Sequence, residues 1–290
     1  MKKARVSLAL LLLALSLAAG AQAQPKLHLE VYTASPDGWC VTSTLIYGKT
    51  ESILIDTQSG KSDATRLADR IAATGTHLKA IIITHPHDDH YLGAGTIVER
   101  FPGTPVYMTA DALEQFNRKS PGAMAWFKAN LPSELPAPLP KPQLLTTDHL
   151  LIDGQKIELM QGQGDELTSR NTYVWIPSLR ALITGDIVFD QVHVWLATSD
   201  DASRKAWLGT LDRLAALHAR MVVPGHKKSA DLENSPDAIA FTRLYIRDFE
   251  AARRSASNAD ELTAAMKTKY PDAGLADKIL PRSVKSAFQK

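Results

Sequence analysis

The chain has 290 residues, of which 44% are hydrophobic and 22% charged, a composition typical of a folded globular protein. Its formal charge of +2 reflects 33 basic and 31 acidic residues, and three of the basic ones lie within the first five positions. Without those three the balance is 30 basic against 31 acidic. Because no basic block with interleaved aromatic residues occurs either, we expect no nucleic-acid partner.

The first 23 residues have the pattern of a secretory signal peptide. A basic start precedes an apolar run over residues 6–19, and small residues at Ala21 and Ala23 mark a cleavage site. The alternative is an uncleaved membrane anchor, but the apolar run is short for a bilayer span. We therefore predict cleavage after Ala23, a periplasmic or secreted protein with no membrane contact thereafter, and one domain over residues 24–290 with a helical C-terminal portion.

A single cysteine, Cys40, excludes an internal disulfide even though export implies an oxidising compartment. The stability of the fold must therefore come from its core. Cys40 falls in a strand-like run, where we expect it to be a small buried hydrophobic residue rather than a nucleophile or a metal ligand.

The N-terminal part of the domain predicts three strands with short turns, an antiparallel start to a sheet, at residues 27–33, 39–47 and 52–56. Asp56 ends the third of them. Its carboxylate either supports a metal ligand through a hydrogen bond or makes only local hydrogen bonds at the start of a loop.

The next elements alternate between helices and strands. Apolar spacing predicts helices at 62–74 and 91–100, strands at 78–83 and 104–108, and helical structure at 111–129 broken at Pro121-Gly122. Five prolines between positions 132 and 142 predict an extended linker or a wrapping loop rather than a helix.

The second half begins with another group of strands, predicted at residues 150–152, 156–160, 171–176 and 180–184. A helix at 202–218 and a short buried strand at 221–223 follow. From Pro236 the chain is predicted to be helical nearly to its end, with an interruption at Pro271.

The densest chemical signal lies at residues 84–90, which hold three histidines and two aspartates directly after the apolar run 80–83. Imidazole and carboxylate are the usual ligands of zinc and similar divalent ions. The loop at the C-terminal end of a buried strand is also where α/β proteins place their sites. The alternative, a polar loop with accidental histidines, does not explain this density.

Three later strands also end in residues that bind metals. Residues 182–185 lead to Asp186, residues 222–225 lead to His226, and residues 156–160 lead to the segment 161–165. One aspartate after a strand is commonplace, but four such strand ends in one chain indicate a common site.

These motifs, in the order His85-x-His87-x-Asp89-His90, Thr184-Gly185-Asp186 and Pro224-Gly225-His226, resemble those of the metallo-β-lactamase superfamily. The resemblance covers residues 27–226. It implies an α/β fold, an αββα sandwich of two mixed β-sheets packed face to face with flanking helices. It also implies a site for one or two metal ions, usually Zn²⁺, with one ion bound by His85 and His87, the other by Asp89, His90 and His226, and both by a bridging Asp186.

The chain departs from the family pattern at one ligand. The family usually supplies a third histidine to the first metal from a Gly-His-Thr segment, and here the corresponding segment is Gly162-Gln163-Gly164-Asp165. Because a carboxylate is a better zinc ligand than an amide oxygen, we prefer Asp165 to Gln163 as the substitute. The alternative is a first metal with only His85, His87 and Asp186, bound loosely or not at all.

The function implied by the resemblance is an exported metal-dependent hydrolase acting on a small-molecule substrate. A metal-bound hydroxide would attack an ester, a lactone or an amide, a β-lactam among them. Asp89 would orient the nucleophile or carry its proton. His193 either faces the cleft and donates to a substrate oxygen, or is a histidine on a half-buried strand or loop.

Two other classes of function remain open. The same ligands would hold iron in a non-hydrolytic oxidoreductase, or hold a metal in a binding protein without turnover.

Lys227 and Lys228 either attract an anion or are simply solvated. Four aromatic residues either wall an apolar pocket or pack in the core, namely Trp126, Phe127, Trp195 and Trp207. The oligomeric state is not determined by these patterns.

Overall fold

The structure, a computed structural model, describes residues 26–163 and 171–288. The side chains of residues 162 and 163 are outside this description. The predicted signal peptide, residues 1–23, also lies outside the described residues, and its cleavage stays a prediction.

The first half of the domain forms a six-stranded mixed sheet. Its strands, in chain order and also in spatial order, are β1 His28–Thr33, β2 Thr42–Tyr47, β3 Glu51–Ile55, β4 His77–Ile82, β5 Val106–Met108 and β6 Gln143–Leu144. Strands β1 to β3 are antiparallel, as predicted, and β3 to β6 are parallel.

The second half supplies the remaining strands of the described residues, which are β7 His149–Ile152, β8 Gln155–Gln163, β9 Asn171–Ile176, β10 Ala181–Ile183, β11 Phe189–Asp190, β12 Met221–Val223 and β13 His226–Lys227. Five of them form a second mixed sheet in the order β12-β10-β9-β8-β7. Only β10 and β12 are parallel in this sheet. Strands β11 and β13 pair separately as a two-stranded ribbon.

The helices flank both sheets and are α1 Lys61–Ala73, α2 Asp88–Tyr91, α3 Ala94–Arg100, α4 Ala110–Asn130, α5 Asp201–Ala216, α6 Asp237–Ser255, α7 Ala259–Lys269 and α8 Leu280–Phe288. Short 3₁₀ turns occur at Pro36–Gly38, Pro132–Glu134 and Gly185–Ile187. Among the described residues, no helix combines the length and apolar character that a membrane span requires.

Three buried clusters establish the order of the layers. Because successive strand residues point to opposite faces, Ile53 faces the second sheet while Leu54 faces the helices. The inner cluster joins residues such as Ile53 and Ile82 of the first sheet to Val174 of the second. One outer cluster packs the first sheet on α1, α3 and α4, and the other packs the second sheet on α5 to α8. The predicted αββα sandwich is confirmed.

Strand β2 begins later than predicted, because the backbone turns sharply before it. Trp39 and Cys40 have φ values of 64° and 55°, in the left-handed region that is uncommon for residues other than glycine. They follow the 3₁₀ turn Pro36–Gly38, so regular pairing starts only at Thr42. Cys40 itself is buried, as predicted.

The predicted break at Pro121-Gly122 is wrong, since α4 runs without interruption from Ala110 to Asn130. A proline inside a helix forgoes one backbone hydrogen bond and strains the preceding turn. Phe116 before it and Phe127 after it are both buried in the same cluster. Packing on both sides of the proline therefore holds the helix together.

The proline-rich segment after α4 wraps around α3 before the chain enters β6. The backbone N–H of Ala137 donates to the Thr96 hydroxyl over 3.2 Å. A Cβ atom on Gly95 would lie 2.1 Å from the Ala137 carbonyl oxygen, so this close approach requires glycine. Because β6 pairs with β5, the segment is a wrapping loop that joins α4 to a strand of the same sheet.

Candidate metal centre

Three strand ends bring the predicted ligands to one edge of the sandwich. The histidine-rich loop follows β4, Asp186 lies in the 3₁₀ turn after β10, and His226 follows β12. Strands β10 and β12 are parallel neighbours, with Ile183 paired to Val223. Their two loops therefore leave the same edge of the second sheet side by side.

Six of the predicted ligands converge in two groups of three residues, here called trios. Within each trio the ligand atoms lie within 4.8 Å of one another. The carboxylate of Asp186 belongs to one trio and also reaches the histidines of the other. Its Oδ2 is 3.3 Å from Nε2 of His85 and 3.5 Å from Nδ1 of His87. Its Oδ1 is 3.1 Å from Nε2 of His90 and 3.2 Å from Nε2 of His226. The first trio is formed by His85, His87 and Asp186, and the second by Asp89, His90 and His226. One oxygen of Asp186 therefore faces the histidines of its own trio and the other faces the histidines of the second.

The outer ring nitrogens of three histidines are already engaged, and this determines their tautomers. Nδ1 of His226 lies 2.7 Å from the Trp39 carbonyl oxygen, which only accepts, so Nδ1 carries the proton. Nδ1 of His90 likewise donates to the Asp56 carboxylate over 2.8 Å. The Thr84 hydroxyl donates to Asp56 and therefore accepts from Nδ1 of His85. In the neutral form of each ring, the Nε2 lone pair is therefore the one available to a cation.

Asp56 anchors this arrangement from behind the ligands. Its Oδ1 accepts the backbone N–H of Thr84 over 2.8 Å, and its Oδ2 accepts both the Thr84 hydroxyl and Nδ1 of His90. Asp56 is 3% exposed. The two alternatives that the sequence left open are therefore both realised, because one carboxylate supports a site histidine and also makes local hydrogen bonds.

The cluster fits a divalent metal. Oδ1 of Asp186 is buried and makes no hydrogen bond to any described residue, which is costly for a carboxylate without a cation beside it. Nitrogen ligands about 2.0–2.1 Å from a tetrahedral zinc ion lie about 3.3 Å apart. Here Nε2 of His85 is 3.0 Å from Nδ1 of His87, and Nε2 of His90 is 3.4 Å from Nε2 of His226. The spacing and the donor set both suit zinc.

The electrostatics of the cluster favour bound positive charge. Burial, and next the neighbouring His90, lower the pKa of His85 to about 4. Burial also acts to lower the pKa of His90, but the carboxylates of Asp186, Asp56 and Asp89 raise it well above its ordinary value. For Asp186 burial acts upward, yet the nearby histidines hold the pKa of its carboxyl well below the usual range. The carboxylate is therefore ionised where a cation would lie.

An open cavity gives access to the cluster. Its polar lining includes Asp89, and its apolar walls are Trp39, Trp195 and Ile279. The side chain of Asp89 is 14% exposed, with Oδ2 3.5 Å from Nε2 of His226. Trp39 thus has two roles, since its carbonyl orients His226 while its side chain walls the cavity. Sequence reasoning missed both Trp39 and Ile279 as site residues.

His193 is not brought to the cluster, so of the two alternatives that the sequence left open the one that faces the cleft is wrong. It is fully buried and does not line the cavity. Its backbone N–H donates to the Gly274 carbonyl, and its Nδ1 lies 2.7 Å from the Tyr245 hydroxyl. The packing of α6 on this loop turns the ring into the core, where burial lowers its pKa to about 4.

Several other candidate residues are either outside the described residues or buried away from the cluster. Asp165 and the side chain of Gln163 lie outside the described residues, so the choice between them stays a prediction. Lys227 is buried, and its ammonium donates to the Leu232 carbonyl and the Asn234 amide oxygen, so it is not available to an anion. Trp207 is a core residue that donates to the Ile187 carbonyl.

Gly225 is the position where the site leaves no room for a side chain. A Cβ atom there would lie 2.3 Å from Oδ1 of Asp186 and 2.6 Å from the backbone of Gly185. We expect Gly225→Ala to displace the Asp186 carboxylate, to lower the metal content per chain, and to reduce the free energy of unfolding by about 1–3 kcal/mol. Elemental analysis and thermal unfolding measure both effects.

Gly122→Ala is the matched control, because a Cβ atom at Gly122 meets nothing within 4 Å. This variant should keep its metal and gain stability, by up to about 1 kcal/mol, from higher helix propensity. Unchanged metal content in Gly225→Ala would show that the close approach to Asp186 is unimportant.

Comparison with known proteins identifies related sequences. A family model described as the metallo-β-lactamase superfamily matches residues 37–226 of the chain. A metallo-β-lactamase type 2 from Bacteroides fragilis is 25% identical over 210 residues, covering 69% of this chain and 76% of that protein. A β-lactamase-like protein 2 homolog from Caenorhabditis elegans is 23% identical, and the match covers 64% of this chain and 55% of that protein.

Solved structures show the same fold. A metallo-β-lactamase family protein from Thermus thermophilus superposes with a TM-score of 0.62 at 20% identity, covering 90% of this chain and 91% of that one. A metallo-β-lactamase from Pontibacter korlensis gives a TM-score of 0.57 at 24% identity, covering 77% of this chain and 95% of that one. At these identities the likeness concerns the fold alone.

Proposed function

The chain belongs to the metallo-β-lactamase superfamily, and on that premise we propose that it is an exported, zinc-dependent hydrolase of small esters, lactones or amides. The observation that carries the proposal is the pair of ligand trios that meet at the Asp186 carboxylate beside an open cavity. Superfamily membership supports a metal-dependent hydrolase in general. Export rests on the signal pattern of the first 23 residues.

The residues of the chain have distinct parts in such a reaction. His85, His87 and Asp186 would hold one ion, and Asp89, His90 and His226 the other, with Asp186 shared between them. Bound divalent ions polarise a carbonyl oxygen and lower the pKa of water toward neutrality. The Asp89 carboxylate lines the cavity and would orient the attacking water and accept its proton.

The overall change is a simple hydrolysis. The oxygen of water bonds to the carbonyl carbon, the bond from that carbon to the leaving oxygen or nitrogen breaks, and the leaving group takes up a proton. Trp39, Trp195 and Ile279 line the cavity beside the cluster and would contact the apolar part of a bound substrate. A β-lactam is one amide within this class, and the similarity to a type 2 metallo-β-lactamase keeps it on the list of substrates to test.

Metal removal tests the proposal. We expect dialysis against a chelator to abolish turnover of a panel containing an ester, a lactone and a β-lactam, and added zinc to restore it, because zinc is needed to activate water. Elemental analysis of the restored protein should show one to two ions per chain.

The same experiment separates the alternative functions. Turnover that survives complete metal removal would contradict a metal-dependent hydrolase. Iron in the purified protein together with redox turnover would favour an oxidoreductase. Tight metal binding with no turnover of any panel member would favour a binding protein.

A further inference from the structure

A second groove extends from the metal cavity toward the end of α4. The cavity and the groove share Trp39, Asp88 and Asp89 in their walls. A molecule bound at the metal ligands can therefore extend along the surface into the groove. The far wall is formed by Trp126, Phe127 and Leu131.

This far wall is apolar and open to solvent. Trp126 is 53% exposed and Leu131 is 42% exposed. The ring of Trp126 lies edge to face with that of Phe127, with centroids 5.4 Å apart, while Phe127 is anchored in the core. A tryptophan and a leucine presented together on the rim of a groove form a surface for an apolar ligand.

Both cations that line the groove already have partners within the protein. Arg66 pairs with Asp63 over 3.0 Å, and Asp63 also accepts the Tyr32 hydroxyl. The Lys278 ammonium donates to the Pro36 carbonyl over 2.6 Å and lies over the Trp39 ring.

One of the carboxylates that line the groove, Glu134, also has hydrogen-bond partners within the protein. Glu134 accepts the backbone N–H and the hydroxyl of Ser62 at the start of α1. Among the described lining residues, carboxylates outnumber cations by five to two, the carboxylates being Asp37, Asp63, Asp88, Asp89 and Glu134 and the cations Arg66 and Lys278. No described lining residue therefore offers an unengaged cation for an anionic ligand.

We propose that this groove binds the apolar chain of a neutral ester or lactone whose carbonyl lies at the Asp186 cluster. The assignment rests on the proposed hydrolase function and narrows its substrate class. Trp126 and Leu131 are the residues that determine preference for chain length. Each additional methylene that reaches this wall should raise kcat/KM about fourfold, from the transfer free energy of a buried methylene.

Chain length provides the kinetic test. We expect the zinc-loaded enzyme to prefer an octanoyl p-nitrophenyl ester to the acetyl ester. In Trp126→Ala and Leu131→Ala the ratio of octanoyl to acetyl turnover should fall about tenfold, because the wall that holds the chain is lost. Leu244→Ala is the matched control, since Leu244 is 54% exposed on α6 and does not line the groove. It should keep the wild-type ratio.

Direct binding gives a readout independent of turnover. Calorimetric titration of the full chain with 1-octanol, 1-butanol and octanoate should show octanol binding tightest, and binding about tenfold weaker in Trp126→Ala. Equal octanol binding in the wild type and in both groove variants would overturn the proposal while ester turnover upheld the hydrolase. Octanoate binding that is tighter than octanol binding and that weakens in Trp126→Ala would overturn the preference for a neutral ligand. If no ester is turned over but octanol binding falls in the groove variants, the groove stands and the hydrolase function fails.

Discussion

Replacing Asp186 with alanine should remove metal from both trios and lower hydrolysis by at least about 10³-fold, because a bound metal supplies several kcal/mol of transition-state stabilisation. The expectation follows from the position of the carboxylate. Oδ2 faces His85 and His87, while Oδ1 faces His90 and His226. No other described side chain contributes one oxygen to each trio. Metal content per chain and kcat/KM on the responsive substrate measure the effect.

Asp186→Asn refines the test, because the amide keeps the shape but retains only one oxygen. We expect this variant to lose one ion in preference to the other, so that the metal content falls by about half.

Asp248→Ala is the control for general destabilisation. Asp248 is also largely buried, where it pairs with Lys269 over 2.6 Å and accepts the Tyr270 hydroxyl over 2.7 Å. Its loss should lower thermal stability but leave metal content and turnover intact. An Asp186→Ala protein that retains both ions and full activity would contradict the bridging position.

Replacing Asp56 with alanine should weaken metal binding about 10–100-fold, although Asp56 touches no metal, because it orients a ligand. The change removes the acceptor for Nδ1 of His90 and for two donors of Thr84. His90 then loses both its orientation and its tautomer. Since each buried donor left without its acceptor costs about 1–3 kcal/mol and three donors lose theirs, unfolding should also become easier by at least about 3 kcal/mol.

Asp153→Ala is the matched control for Asp56. Asp56 and Asp153 both have a positive φ, 58° and 46°. Like Asp56, Asp153 accepts the backbone N–H and the hydroxyl of a threonine, here Thr50, but it does so at the exposed surface. We expect it to cost less than about 1 kcal/mol and to leave metal affinity unchanged. Competition with a chromophoric chelator measures the affinity of both variants. Equal metal affinity in Asp56→Ala and in the wild type would show that Asp56 serves the fold and not the site.

The fold could be predicted from the sequence to the extent that local patterns control it. Strand alternation and short turns predicted most of the strands, and the sandwich was implied by the resemblance of the motifs to a known family. The error at Pro121 shows the limit of this approach. A local rule forbids proline inside a helix, but the burial of Phe116 and Phe127 on either side outweighs it.

The sequence by itself determined the chemistry of the site, because the candidate ligands lie in short motifs that each follow a strand. His85, His87, Asp89 and His90 fall within six residues, so their grouping needs no long-range contact. The second role of Asp56 was only one of two alternatives at that level. It depends on a contact with His90, 34 residues away.

Only the tertiary structure decided what surrounds the ligands. The parallel pairing of β10 with β12 brings Asp186 beside His226. The left-handed backbone at Trp39 and the C-terminal segment carrying Ile279 wall the cavity, whereas His193 turns into the core. Side-chain directions in loops follow no sequence period, and these contacts join segments far apart in the chain. For that reason the motifs predict a metal site, while the shape that selects its substrate emerges only from the folded chain.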